Sequence, residues 1–416
     1  MNQVTAAVRT RLLPIALAQF VGLVCGVVGV KLHSQLVAPA DYGLYGLFLT
    51  FTPLGVLVVH AGLLKFTARH WAAAQDRDVL WKKIIGVAGR KLPWLLASAI
   101  AAAALLMGVR WYVIVPFIFI SATALSFGSL AQTALQADQR HWSDFGTGLG
   151  SSPTRSFLPP LFYWMTGGAS LSLYTGFTFH ALGFALLAFL FLRPSLKTAS
   201  ANAIETRLGD TYAGSMFNVL AVASWTLTGI TRWIVALFFG VTTTGYFTLA
   251  NNVAMVIPMV LGGAFTQFFQ PEFFAAPHET AHDRARLARR VDKVAATFCV
   301  LAVAGLLLLR AAMPWLVGTL VAEQYAEATA FILPAGCFFV AVVTSQFYHQ
   351  LLLAAHKESA CVPVDLTFAG VLVAGSLIAA QFGMDALCGW LTATLLIPWM
   401  VSRPLARHYL NKSTTA

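Results

Sequence analysis

YGLYGLFLTFTPLGVLVVHAGLLKF fills residues 42–66, and between Gly43 and Leu64 the only side chain that titrates near neutral pH is His60. As a helix, 43–64 is about 33 Å long, enough to cross a hydrocarbon core of about 30 Å. The polar–apolar alternation of a membrane strand is missing, which argues against a barrel. The rest of the chain repeats this pattern. Of its 416 residues 58% are hydrophobic and 10% charged, and its mean hydropathy is +0.74. A soluble protein carries about 25% charged residues.

Further apolar runs give predicted spans at 12–36, 43–64, 92–109, 111–137, 144–166, 171–192, 214–238, 243–270, 294–309, 329–355, 360–382 and 385–402. The expected fold is all-α: a polytopic membrane protein of about twelve transmembrane helices. The net charge of +11 does not mark a nucleic-acid binder, because the basic residues sit in alternate short loops. Of 27 lysines and arginines, 22 fall in the two tails and the even-numbered loops. Arg110 and Arg310 alone lie on the opposite side, and Lys31, Arg155 and Arg232 lie within spans. This bias places both termini in the cytoplasm. Arg9, Arg11 and Ala16-Leu17-Ala18 faintly resemble a leader peptide. The apolar run continues past them, so a retained first helix is expected.

Loops of at most about 25 residues leave no room for a soluble catalytic domain. Residues 283–293, DRARLARRVDK, read either as a basic amphipathic helix on the membrane surface or as a cytoplasmic extension of the ninth helix. No Walker A or GxSxG motif occurs, and neither nucleotide hydrolysis nor a bound cofactor is expected. Cys25, Cys299, Cys337, Cys361 and Cys388 lie in or beside apolar segments and form no CxxC pair. They read as small core residues without a disulfide or metal site.

Residues 244–268, TGYFTLANNVAMVIPMVLGGAFTQF, match 42–66 under an ungapped shift of 202. Gly43 falls on Gly245, Tyr45 on Phe247, Leu47 on Leu249, Ala61 on Gly263 and Phe66 on Phe268. The first and seventh helices superpose under the same shift. Each pair opens a six-helix half, which gives an expected division into 1–195, a linker 196–213, 214–403 and a tail 404–416. Parallel repeats of this kind are an architecture of secondary transporters, with substrate held between halves that rock.

An ionisable group inside a membrane costs about 2.5 kcal/mol or more and usually faces a cavity. Arg155 sits about 16 Å into its helix. Arg232 and Lys31 lie nearer the outer face, where snorkelling competes with a cavity role. Three cations against the single intramembrane carboxylate Asp365 favour an anionic substrate. Asp365, His33, His60, His180 and His349 are candidates for ion coupling, or structural hydrogen-bonding groups. Asn251, Asn252, Gln267, Gln346 and Gln350 could contact sugar hydroxyls, or join helices. Pro53, Pro153, Pro159, Pro160, Pro258 and Pro334 suit kinked helices.

Residues 36–66, with Ala40-Asp41-Tyr42-Gly43 at the turn, resemble the first hairpin of bacterial polysaccharide flippases. That family belongs to the multidrug/oligosaccharidyl-lipid/polysaccharide exporter superfamily. Residues 229–274 resemble its seventh and eighth helices. A charged pair often stands there at the positions of Thr231 and Arg232, and here only the arginine is present. The resemblance implies flipping of an undecaprenyl-pyrophosphate-linked oligosaccharide across the bacterial inner membrane for exopolysaccharide or O-antigen synthesis. It further implies a proton or sodium gradient as driving force and polymerase or export machinery as partners. Lys31, Arg155 and Arg232 would hold the pyrophosphate. The rival expectations are an ion-coupled multidrug antiporter, a membrane enzyme of polysaccharide assembly and a non-transporting scaffold.

Overall fold

In lipid every backbone N–H and C=O must be paired within the chain, so apolar runs of this length become helices. A computed structural model of the protein describes residues 13–72, 74, 76–107, 111–196, 214–275, 280–355 and 357–411. These residues are helical almost throughout and form no β-strand beyond isolated bridges. The helices are α1 (Leu13–Leu36), α2 (Pro39–His70), α3 (Arg77–Arg90), α4 (Leu92–Met107), α5 (Trp111–Ala137), α6 (His141–Met165) and α7 (Ser170–Leu196). There follow α8 (Gly214–Ala254), α9 (Val256–Ala275), α10 (Ala281–Thr319), α11 (Thr329–Ala354), α12 (Glu358–Gln381), α13 (Met384–Ala393) and α14 (Arg403–Asn411).

Local chemistry sets several of the ends. α2 starts with Pro39 in its first turn, where the missing N–H costs nothing. Asp76 caps α3 by accepting from Val79 N at 3.0 Å. Thr280 caps α10 by accepting from Asp283 N at 3.1 Å. α10 then runs unbroken through 283–293 into the membrane run, so this basic stretch is an extension of the ninth expected span.

Two expectations need correction. Residues 65–91, read as a loop, hold the end of α2 and the whole of α3, because Leu80, Trp81, Ile84 and Ala88 recur on one helical face and are buried. The spans 214–238 and 243–270 meet at Gly240, whose backbone (φ 83°, ψ 173°) is not helical. α8 is therefore two helices that fold back on one another there, as the 3.2 Å bond between Arg232 and Asn252 requires. A further break follows Ala254, the residue whose carbonyl Pro258 cannot bond. The final span is bent by 41° between Met384–Leu396 and Pro398–Asn411.

Among the described residues, seven helical runs are long and apolar enough to cross a membrane, or up to eight with the bent pair counted as one span. One of them, Val219–Thr266, contains most of two expected spans. α6 is absent from the seven. Its small and polar residues serve close packing: a Cβ on Gly150 would meet Leu187, and one on Gly29 of α1 would lie 2.9 Å from Ser156 Cβ.

The chain divides into two compact units, Met1–Ala38 with Leu44–Val222, and Pro39–Gly43 with Ala223–Ala416. In the first, α5, α6 and α7 pack on one another and α1 lies along α6. In the second, α11 is buried on nearly every side from Phe331 to Leu352 and packs against α9, α10, α12 and α13. The short segment Pro39–Gly43 belongs to the second unit because it crosses α8 backbone to backbone. A Cβ on Gly43 would strike the Val241 carbonyl, and one on Gly245 the Pro39 carbonyl. These are the two glycines that the 202-residue shift equates.

Candidate functional site

In the first unit the seating of Gly29 on Ser156 fixes the level of α1 against α6. Lys31 lies two residues beyond that contact and Arg155 one residue before it on a helix running the same way, so the two cations lie within about one helical turn of each other in height. Both are exposed, and neither forms a salt bridge among the described residues. Beside Arg155, Thr154 hydrogen-bonds His180 Nδ1 at 2.9 Å. His60 bonds Ser126 Oγ at 2.6 Å and reaches the Ala88 carbonyl at 3.3 Å. His33 bonds the Gly29 carbonyl at 2.8 Å and stacks on Tyr45. All three histidines are thus buried, His180 and His60 between helices and His33 on its own helix turn.

In the second unit the sequence candidates Arg232, Asn251 and Asn252 come together. Arg232 Nη2 donates to Asn252 Oδ1 at 3.2 Å, and Asn252 Nδ2 donates to Tyr42 Oη at 2.9 Å. An asparagine's oxygen and nitrogen are told apart by their partners. With the Asn251 amide turned accordingly, its oxygen accepts from Arg232 Nε and Nη2 at 3.3 and 3.1 Å. The guanidinium fork is therefore held in place by neutral amides of adjacent residues. The edges of Tyr42 and Tyr246 meet Tyr325, with ring centroids 6.1 and 5.9 Å apart. Held this way, the guanidinium can meet a phosphate. Tyr42 and Tyr325 are buried and pack the site, while half-buried Tyr246 keeps part of its ring open to a ligand.

A second couple lies on α11 and α12: His349 Nδ1 is 2.9 Å from Asp365 Oδ2, both side chains about one-fifth exposed. Chemically the couple can take up and release one proton. Gln346 is exposed on α11, and the side chain of Gln267 lies outside the described residues. Among the described residues no cluster of three or more histidine, cysteine, aspartate or glutamate side chains could hold a metal ion.

Sequence reasoning missed Tyr42, Tyr246 and Tyr325, and also the cluster around Asp292 on α10. Arg403 grips that carboxylate through Nε and Nη2, both at 3.1 Å, and Arg407 and Tyr348 bond it as well. The partners lie 56 to 115 residues away in sequence, so no spacing marks them.

A family described as "Polysaccharide biosynthesis protein" matches residues 34–330. No curated protein sequence matches the chain. Among solved structures, the fold is similar to that of a mutant of the Vibrio cholerae MATE transporter VcmN. Identity there is 12%, the TM-score is 0.61, and 100% of this chain and 99% of that chain are covered. It is also similar to the lipid II flippase MurJ in an inward closed conformation, with 12% identity, a TM-score of 0.60 and coverage of 95% and 86%. A third likeness is to an outward-facing multidrug resistance MATE family transporter of the MOP superfamily, with 13% identity, a TM-score of 0.59 and coverage of 97% and 95%.

Proposed function

This chain belongs to the polysaccharide biosynthesis protein family, and on that premise we propose that it is a secondary transporter flipping an undecaprenyl-pyrophosphate-linked oligosaccharide across the bacterial inner membrane. The observation that carries the reading is the set of cations within helices: Lys31 and Arg155 within about one turn of each other in height in the first unit, and Arg232 held by Asn251 and Asn252 in the second. Such groups are costly in lipid and are kept where an anion is to be met. The likeness to a structure named as a lipid II flippase supports the same reading.

In this reading the chain makes about twelve crossings in two six-helix halves, 1–195 and 214–403, with both termini cytoplasmic. The pyrophosphate binds the cations, the sugars traverse a polar path past Tyr246 and Asn252, and the lipid tail stays in the bilayer. Alternating access moves the head group between leaflets. The chain has no nucleotide motif, so an ion gradient drives the cycle. His349 and Asp365 are the proposed coupling couple. His33, His60 and His180 are already engaged in helix packing, which makes each a weaker choice.

The likeness to multidrug MATE transporters favours one second reading, an ion-coupled antiporter of small molecules. A cationic drug would want intramembrane carboxylates, and Asp365 is already paired with His349. The two readings separate in cells. Deleting the gene should trap the lipid-linked oligosaccharide in the cytoplasmic leaflet, where a periplasmic glycan-cleaving probe cannot reach it. The intact chain should restore access. Unchanged access in the deletion strain, with sensitivity to cationic dyes instead, would support the antiporter.

A further inference from the structure

α3 has a second face that the transport reading does not use. Its inner face is fixed: Leu80, Trp81, Ile84 and Ala88 are buried in a cluster with Leu63, Phe66, Trp71, Leu130 and Leu192. Trp81 meets Trp71 edge to face at 6.1 Å, and His60 reaches the Ala88 carbonyl. At its start, Arg77 pairs with Asp138 at 2.8 Å. The helix is therefore held at both ends and along its length, and its outer face is a rigid surface.

That outer face carries a hollow of about 390 Å³ lined by Val79, Lys82, Lys83, Gly86, Val87 and Arg90. Lys82, Gly86 and Arg90 are four residues apart and form one row, with Val79, Lys83 and Val87 in the row beside it. Nothing lies within 4 Å of where a Gly86 Cβ would be. The cationic row is thus notched at its middle, between two positive side chains. Alanine would be the better helix former at such an exposed interior site, so the helix gives up stability for this gap. Asp78, the acidic residue of this face, pairs with Lys82 at 2.6 Å and leaves Lys83 and Arg90 to face the notch. Through Lys91 the helix leads into α4, and Arg77–Ala101 together form one of the runs apolar enough to span a membrane. The notch therefore borders the membrane surface, with valines beside cations.

We propose that this notch binds the phosphate of an anionic phospholipid headgroup, with Lys83 and Arg90 contacting the phosphate and Val79 and Val87 the glycerol and first acyl carbons. Charge complementarity selects an anionic over a zwitterionic lipid. The mixed lining selects a lipid over a free anion. This site is independent of what the transporter carries.

The test is titration of the full-length protein in detergent with phosphatidylglycerol or phosphatidylcholine, read by retained lipid in native mass spectrometry and by the thermal midpoint. Phosphatidylglycerol should bind preferentially. Lys83→Gln with Arg90→Gln should weaken it about tenfold or more, the loss of two charges beside a phosphate. Gly86→Leu, which keeps every charge and fills the notch, should weaken it several-fold, and Gly86→Ala less. Full binding by Gly86→Leu would show diffuse attraction and overturn the site, as would full binding by the charge variant. Equal competition by inorganic phosphate, or a preference for a polyprenyl pyrophosphate, would overturn the choice of phospholipid. Gly86→Ala, a minimal change on an exposed face, keeps the test decisive if the leucine variant is poorly folded.

Discussion

Gly43→Ala should destabilise the protein although alanine is the better helix former. The added methyl is directed at the Val241 carbonyl, with Gly245 N 2.9 Å from the same point. Both obstacles are backbone of α8, so no side chain can rotate away. Overpacking of this kind costs about 1–3 kcal/mol, and a rigid obstacle places it at the upper end. The gain in helix propensity offsets about 1 kcal/mol. The expected net loss is about 1–2 kcal/mol, a shift of roughly 5–30-fold in the folding equilibrium. Gly263→Ala is the reference, because Gly263 is exposed and nothing lies within 4 Å of its Cβ position. It should gain up to about 1 kcal/mol, so the two alanine variants should differ by about 1–3 kcal/mol. Gly245→Ala should behave like Gly43→Ala, and the double variant should cost less than the sum because one crossing is shared. Thermal unfolding of the purified protein, followed by tryptophan fluorescence, reads all four. If Gly43→Ala melts with or above Gly263→Ala, the first turn of α2 does not cross α8 on bare backbone and the argument is refuted.

Three further outcomes follow from the site. Arg155→Ala should abolish complementation of a flippase-null strain at normal protein levels, and Arg155→Lys should partly rescue it, since a point charge replaces attraction but not the guanidinium fork; normal complementation by the alanine variant removes the best cavity cation. Asp365→Asn and His349→Gln should each flatten the pH dependence of transport without changing the amount of folded protein, and a pH profile like that of the unmodified chain in both variants excludes the couple as the coupling site. Reporter fusions active only in the cytoplasm should give signal at Lys82, Lys197 and Arg286 and none at Asp41, Gly168 or Gln381; a periplasmic location for Arg286 contradicts two halves of the same orientation.

The helices were legible in the sequence because lipid leaves a polypeptide so few choices: α1, α5, α7 and α12 fall within a few residues of their apolar runs. The ungapped match of Gly43 with Gly245 was legible, but their close approach in space was not, because no spacing announces it. α3 was hidden by its own charges. Lys82, Lys83 and Arg90 looked like loop, although Leu80, Trp81, Ile84 and Ala88 recur at helical intervals and carried the signal. Arg232, Asn251 and Asn252 were each legible as intramembrane polar residues, but their bonding to one another depends on the kinked course of α8 at Gly240. The grip of Arg403 on Asp292 joins residues 111 apart and could not be read from either neighbourhood.

The central claim is that the cations within the helices serve a pyrophosphate-linked glycan. Its most direct test is translocation by the purified protein in liposomes. The account predicts that a polyprenyl-pyrophosphate oligosaccharide crosses to the far leaflet at a rate that responds to an imposed proton or sodium gradient, while a lipophilic cationic dye is ignored. Robust export of the dye with no movement of the lipid-linked sugar, by protein shown to be folded, would contradict it.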